Sequence, residues 1–104
     1  MEISLTRTDV FTLCVKAIGR LDLDSAVEYG QTITDAMYDS DEKITSLLLD
    51  FSEITFISSD GLKVILELYK KKKETGGSLK IKNVSEEIRK SFNLVGFNKF
   101  LVLE

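Results

Sequence analysis

The chain contains no histidine, no proline and a single cysteine. Each absence removes a class of function. Without histidine, neither a Ser–His nor a Cys–His nucleophile pair can be built, and nor can a histidine-containing zinc site. The lone thiol, Cys14, can close no intrachain disulfide and cannot by itself supply thiolate zinc coordination. It lies in an alternating segment and reads as an inert strand residue, with nothing pointing to an oxidising compartment. No glycine-rich phosphate loop of the P-loop or dinucleotide type occurs; Gly76-Gly77 reads as a helix stop before a strand. Apolar runs are short, Leu47-Leu48-Leu49 being typical, so no segment can cross a bilayer. Met1-Glu2-Ile3-Ser4-Leu5 lacks the basic start and apolar block of a secretory signal. The expectation is a cytoplasmic protein without membrane insertion. Carboxylate- or lysine-based catalysis is not excluded by composition, but no constellation points to it. The chain therefore reads as a non-enzyme with no cofactor and no metal.

What is present is ordinary for a globular domain: 104 residues, 43% apolar and 30% charged, with net charge −3. That size and balance predict one core over residues 1–104 and a monomer. The negative charge argues against direct nucleic-acid binding. Residues 2–7 and 10–18 alternate, and Arg7-Thr8-Asp9 between them reads as a tight turn, predicting an antiparallel hairpin. Gly19-Arg20-Leu21-Asp22 is expected to leave the sheet. From Ser25, helical spacing of Ala26, Gly30, Ile33 and Met37, with Val27 alongside, predicts a helix capped by Asp24 and broken by Asp39-Ser40-Asp41-Glu42. Residues 44–51 form the most apolar strand, expected to be central and covered on both faces. A second helix follows Ser58-Ser59-Asp60-Gly61 and runs to about Glu74, with Leu62, Ile65, Leu66 and Tyr69 as its stripe. Residues 78–84 alternate again. Ser85 opens a third helix with face Ile88, Phe92 and Val95, Gly96 stops it, and 100–103 form a last strand. The fold class is α/β: a mixed sheet of about five strands, an N-terminal antiparallel hairpin followed by parallel β-α units, packed by helices.

Asp50, a carboxylate ending an apolar strand, resembles the phosphoacceptor of a response-regulator receiver. A receiver also needs an acidic pair after its first strand and a Lys-Pro after its last. Here Cys14 and Lys16 occupy the early strand and proline is absent, so Asp50 reads as a strand-end residue holding the next loop. Lys70-Lys71-Lys72-Lys73 reads as a solvated helix end whose cations complement the dipole. Phe56, Phe92, Phe97 and Phe100 read as core more than as a docking surface. The strongest local signal is Ile57-Ser58-Ser59-Asp60-Gly61-Leu62, where two hydroxyls, a carboxylate and a glycine stand between a buried strand and a helix. Structurally this is an N-cap, in which Ser or Asp accepts from free N–H groups and Gly lets the backbone turn. The same physics makes it a place where a phosphoserine would be stabilised.

Taken together, these segments resemble a STAS domain, specifically the bacterial anti-sigma-factor antagonists. Leu48-Leu49-Asp50-Phe51-Ser52 with Ile54-Thr55-Phe56-Ile57 is similar to the family's strand-plus-loop, and Gly19-Arg20-Leu21-Asp22 to its entry into the first helix. Ser58-Ser59-Asp60-Gly61-Leu62 falls where the family has Asp or Ser, the phosphorylated Ser, a small residue, Gly and Leu. Leu62-Lys63-Val64-Ile65-Leu66, Gly76-Gly77 and Phe92-Asn93-Leu94-Val95-Gly96-Phe97 with Phe100 continue the likeness along nearly the whole chain. The resemblance implies a binding partner that is both anti-sigma factor and serine kinase, of the histidine-kinase-like ATPase fold. It implies phosphorylation at Ser59 that ends the complex, and a PPM-type serine phosphatase that resets it. Ser58, Asp60, Gly61 and Leu62 become the switch loop.

Two positions depart from the family pattern. Ser58 stands where many members have Asp, and Asp60 where a small residue is usual. At about 6 Å and a water-like dielectric, Asp60 repels a doubly charged phosphate by roughly 1–2 kcal/mol. Three readings stay open: Asp60 partly imitates the modified state, the module is a permanent scaffold or transporter-associated subunit that is never modified, or Ser58 and Asp60 preserve one hydroxyl and one carboxylate in exchanged order. A nucleotide-binding domain is a further alternative, opposed by the missing phosphate loop.

Overall fold

The computed structural model describes residues 1–38 and 44–104. Strands β1 (Glu2–Arg7) and β2 (Thr12–Leu21) form the antiparallel hairpin, Ile3 opposite Ala17 and Leu5 opposite Val15. Their connection is longer than a tight turn and is organised by Asp9, whose carboxylate accepts from the Phe11 N–H at 2.8 Å and the Thr12 hydroxyl at 3.1 Å.

β2 then serves two partners. Thr12–Lys16 pairs in parallel with β3 (Ser46–Asp50), while Gly19–Leu21 pairs in parallel with β4 (Ile54–Ile57). The register shifts at Gly19, whose φ of +119° suits a bulge that swings the strand from one neighbour to the other. Gly19-Arg20-Leu21 therefore stays in the sheet, contrary to the sequence expectation. β4 is a strand that the alternation of the sequence does not predict. β5 (Ser78–Lys82) joins β3 in parallel, and β6 (Val102–Leu103) joins β5. Among the described residues the sheet has six strands in the order β1-β2-β3-β5-β6, with β4 beside the end of β2.

Pairing register aligns Leu13, Leu47 and Leu79 in one row and Val15, Leu49 and Ile81 in the next, all buried. They form one core with Tyr29 and Ile33 of α1 (Leu23–Tyr38), Ile65 and Leu68 of α2 (Ser59–Glu74), and Ile88 and Phe92 of α3 (Glu86–Leu94). Burying each such side chain stabilises by about 1.5–3 kcal/mol before chain entropy is counted. The alternate residues tell a different story: Cys14 and Leu48 are half-buried and Lys80 is exposed. β3 is thus covered on one face only, because all three helices bury their stripes on the same side. The leucine run overstated its burial.

The α1 stripe is Ala26, Tyr29 and Ile33, while Val27 is 67% exposed. The acidic run 39–42, expected to end the helix, lies outside the described residues. The lysine cluster is not uniformly solvated either. Lys72 is buried and its ammonium donates to the Ile44 carbonyl, its stem packed along the core and its charge tied to backbone. Ser85 caps α3 as expected, accepting from the Ile88 N–H at 3.3 Å, and Gly96 at φ +77° follows its end. Val95 is half exposed instead of facing the core. Phe92 is fully buried, whereas Phe56 and Phe100 are exposed at 38% and 40%, so the phenylalanines divide between core and surface.

Tyr29 is fully buried and its hydroxyl has no hydrogen-bond partner among the described residues. An unsatisfied buried hydroxyl costs about 1–3 kcal/mol. Tyr29→Phe is accordingly expected to raise stability by about 1 kcal/mol in urea unfolding. Burial, with smaller contributions from Cys14 and Asp50, pushes the phenol well above its ordinary value of 10.0. The native state therefore keeps a proton that the unfolded chain loses above that pH, so stability is intact below it and falls as pH rises past it. Tyr29→Phe should remove this part of the alkaline loss.

Candidate functional site

β2 and β4 run side by side in parallel, and each ends by feeding a helix. Leu21 is paired with Ile57, so the next residues, Asp22 and Ser58, stand as neighbouring helix N-caps. Ser58 has extended backbone (φ −93°, ψ 176°), and its hydroxyl oxygen accepts from the Gly61 N–H at 3.2 Å. Its N–H donates to the Leu21 carbonyl at 2.9 Å, and its hydroxyl is 3.3 Å from the same oxygen. Asp22 forms a reciprocal cap with Ser25: the carboxylate accepts from the Ser25 N–H at 3.3 Å and the Ser25 hydroxyl accepts from the Asp22 N–H at 2.9 Å. This corrects the expectation that Asp24 caps α1. The Ser25 N–H and hydroxyl, followed by the nearby Arg20 cation, hold the Asp22 carboxyl below the usual range.

Ser59 is the first residue of α2. It is exposed, and its hydroxyl makes no hydrogen bond among the described residues. The two serines therefore divide the work, Ser58 closing the helix end and Ser59 presenting a free oxygen to solvent. Asp60 and Leu62 are half-buried and Gly61 is buried. Gly61 does not adopt a positive φ, so it is not needed for a turn. A Cβ there would lie 2.6 Å from the Leu21 carbonyl oxygen and 2.8 Å from Ile57 Cγ1. Glycine is required because α2 starts against the backbone of β2, which corrects the turn-forming role expected of it.

Two residues that the sequence reading did not place at the corner complete it. Arg20 lies with its guanidinium carbon 4.1 Å from the Phe56 ring centroid, and its Nε is 4.0 Å from an Asp22 oxygen. Arg20 and Phe56 meet across the β2–β4 pairing. Since β4 itself was not recognised, no spacing in the sequence marked them as neighbours. Asp50 lies elsewhere: its carboxylate accepts from the Ser52 N–H at 2.9 Å and the Asn83 amide at 3.1 Å, holding the loop after β3. Burial raises its carboxyl, but those hydrogen bonds and Lys82 outweigh burial and leave it below the ordinary range.

Chemically, the corner offers a reachable hydroxyl on the positive end of a sixteen-residue helix. No cluster of metal-ligating residues occurs among the described residues. Ser58→Ala is expected to cost about 1 kcal/mol through loss of the cap, and Ser59→Ala almost nothing. Thermal melts of the pair would separate the two roles, and equal effects would contradict the division.

Fold and corner define a class: a small mixed-sheet module whose distinctive surface is a hydroxyl-bearing strand-to-helix turn. The chain belongs to the STAS domain family, whose family model matches residues 2–104. Among solved structures it is similar to an anti-sigma factor antagonist from Mycobacterium paratuberculosis, with 23% identity over 98% of this chain and 83% of that one, at a TM-score of 0.81. It is also similar to the Bacillus cell fate determinant SpoIIAA in its phosphorylated form, with 19% identity over 99% of this chain and 91% of that one, at a TM-score of 0.76. A third likeness is to the murine Solute Carrier 26 family member A9 anion transporter, with 16% identity over 86% of this chain but only 14% of the transporter, at a TM-score of 0.75. These likenesses are of fold. No helix among the described residues is long and apolar enough to cross a membrane.

Proposed function

We propose that this chain is an anti-sigma-factor antagonist: it binds an anti-sigma factor that is also a serine kinase, frees the sigma factor, and is switched off when that kinase phosphorylates Ser59. The observation that carries the reading is the exposed Ser59 hydroxyl at the first position of α2, free of the capping role that Ser58 fills. A phosphate there gains from the helix's free N–H groups yet adds about −1.5 to −2 charges to a surface that the kinase must cover. A phosphorylated form of the structurally similar SpoIIAA supports the same reading. The test is incubation with the cognate kinase and ATP, with the modified residue located by mass spectrometry. Phosphate on Ser59, absent in Ser59→Ala, is the expected result. Phosphate elsewhere, or none with a kinase shown to be active, counts against it.

Asp60 motivates a second reading, in which the module is a permanent scaffold or transporter-associated subunit, and the likeness to an anion transporter is consistent with it. In that case Ser59→Ala leaves regulation in the cell unchanged while partner binding persists.

A further inference from the structure

We propose that Arg20 is the built-in counter-charge for a phosphate on Ser59, held ready by Phe56 and Asp22. This rests on the reading of Ser59 as phosphoacceptor and assigns that site a partner within the chain. The Arg20 and Asp22 side chains are 61% and 45% exposed and their contact is long, at 4.0 Å, so their attraction is weak and easily exchanged. Stacking at 4.1 Å on Phe56 does something different. It holds the guanidinium beside Phe56, one residue before the end of β4, where Ser58 caps and Ser59 opens α2. From there the side chain can leave the ring and turn toward a phosphate.

Asp22, Asp24, Glu28 and the N-terminal ammonium line the same surface as Arg20, the ammonium 3.7 Å from a Glu28 oxygen, and Asp60 and Lys63 stand on the first turns of α2. Four of these are carboxylates, so a phosphate without a cation would sit among like charges. The ammonium is engaged by Glu28, and Lys63, one helical turn beyond Ser59, is the competing cation. Arg20 is the better partner on chemical grounds, because its planar fork is pre-positioned and matches phosphate oxygens in pairs, whereas an exposed ammonium is strongly hydrated. The exchange has a consequence for the surface. When Arg20 turns to the phosphate it leaves the Asp22 carboxylate uncompensated and uncovers one face of Phe56. One modification thereby alters three groups along the edge that carries Ser59.

The test uses the full chain with phosphoserine genetically encoded at position 59, followed by a 31P NMR titration of the phosphate. A free phosphoserine loses its second proton near pH 6. With Arg20 present this ionisation is expected about half a unit lower or more, and Arg20→Gln should abolish most of the shift. Asp22→Asn keeps the cap while removing the competing carboxylate, and should lower the phosphate's ionisation further. Lys63→Gln should change it less than Arg20→Gln. An unchanged titration in Arg20→Gln, or a larger effect from Lys63→Gln, overturns the assignment. Because the phosphate is installed without a kinase, this outcome is separate from whether a kinase modifies Ser59.

Discussion

Ser59→Glu is expected to weaken binding to the cognate anti-sigma factor kinase tenfold or more, while Ser59→Ala binds as tightly as the unaltered chain and is no longer released by ATP. The residue is exposed, so neither change disturbs packing. A glutamate in the first turn of a helix is favourable in itself, so the melting temperature should hold or rise slightly. Loss of affinity without loss of stability would then locate the effect at the interface. Desolvating an unpaired interfacial charge costs several kcal/mol, and 1.4 kcal/mol is already tenfold. Asp60 limits the size of the effect, because a partner able to accept one carboxylate at this turn has some tolerance for another. Titration calorimetry with the purified kinase reads both variants. Equal affinities for Ser59→Glu and the unaltered chain would remove the basis of the switch.

Gly61→Ala is expected to destabilise the fold by about 2 kcal/mol, lowering the melting temperature by about 10 °C. The new methyl meets a backbone carbonyl at 2.6 Å, and backbone cannot move aside as a side-chain tip can. Gly30→Ala is the informative comparison. Its Cβ would meet Val64 Cγ1 at 3.1 Å, the end of a side chain that can give way. Removing a glycine from a helix interior also returns about 1 kcal/mol. Gly30→Ala should therefore be nearly neutral, although both glycines lie in helices. Matched thermal melts decide the point, and comparable losses would show that crowding at Leu21 is not what constrains Gly61.

Much of the fold was legible because its elements obey simple periods. β1, the first half of β2 and β5 alternate cleanly, and α2 ends near Glu74 as its pattern predicts. β4 escaped because it buries both of its ends, Ile54 and Ile57, and exposes Thr55 and Phe56 between them. That spacing of three belongs to no strand period. Gly19 misled for a related reason: a glycine before a helix signals an exit, but here its positive φ bends a strand that continues. Tyr29 was missed because nothing local distinguishes a phenol that stays wet from one that is forced into the core. At the candidate site, the hydroxyl-rich turn stood out in the residues themselves. The division between Ser58 and Ser59 did not, since either oxygen could cap until the backbone angles were known. Arg20 and Phe56 lie thirty-six positions apart in the numbering, and only the sheet brings them together.

α2 is wedged at both extremities. Gly61 abuts the Leu21 carbonyl, and Gly77, just past the other end, abuts the carbonyl of Thr45 so closely that any side chain would collide. At both places backbone lies against backbone with no room for a methyl group. The helix end that bears Ser59 and the strand end that bears Leu21 therefore form one closely fitted unit, and a charge added there is expected to be sensed first by a partner that touches the corner, as a label is read.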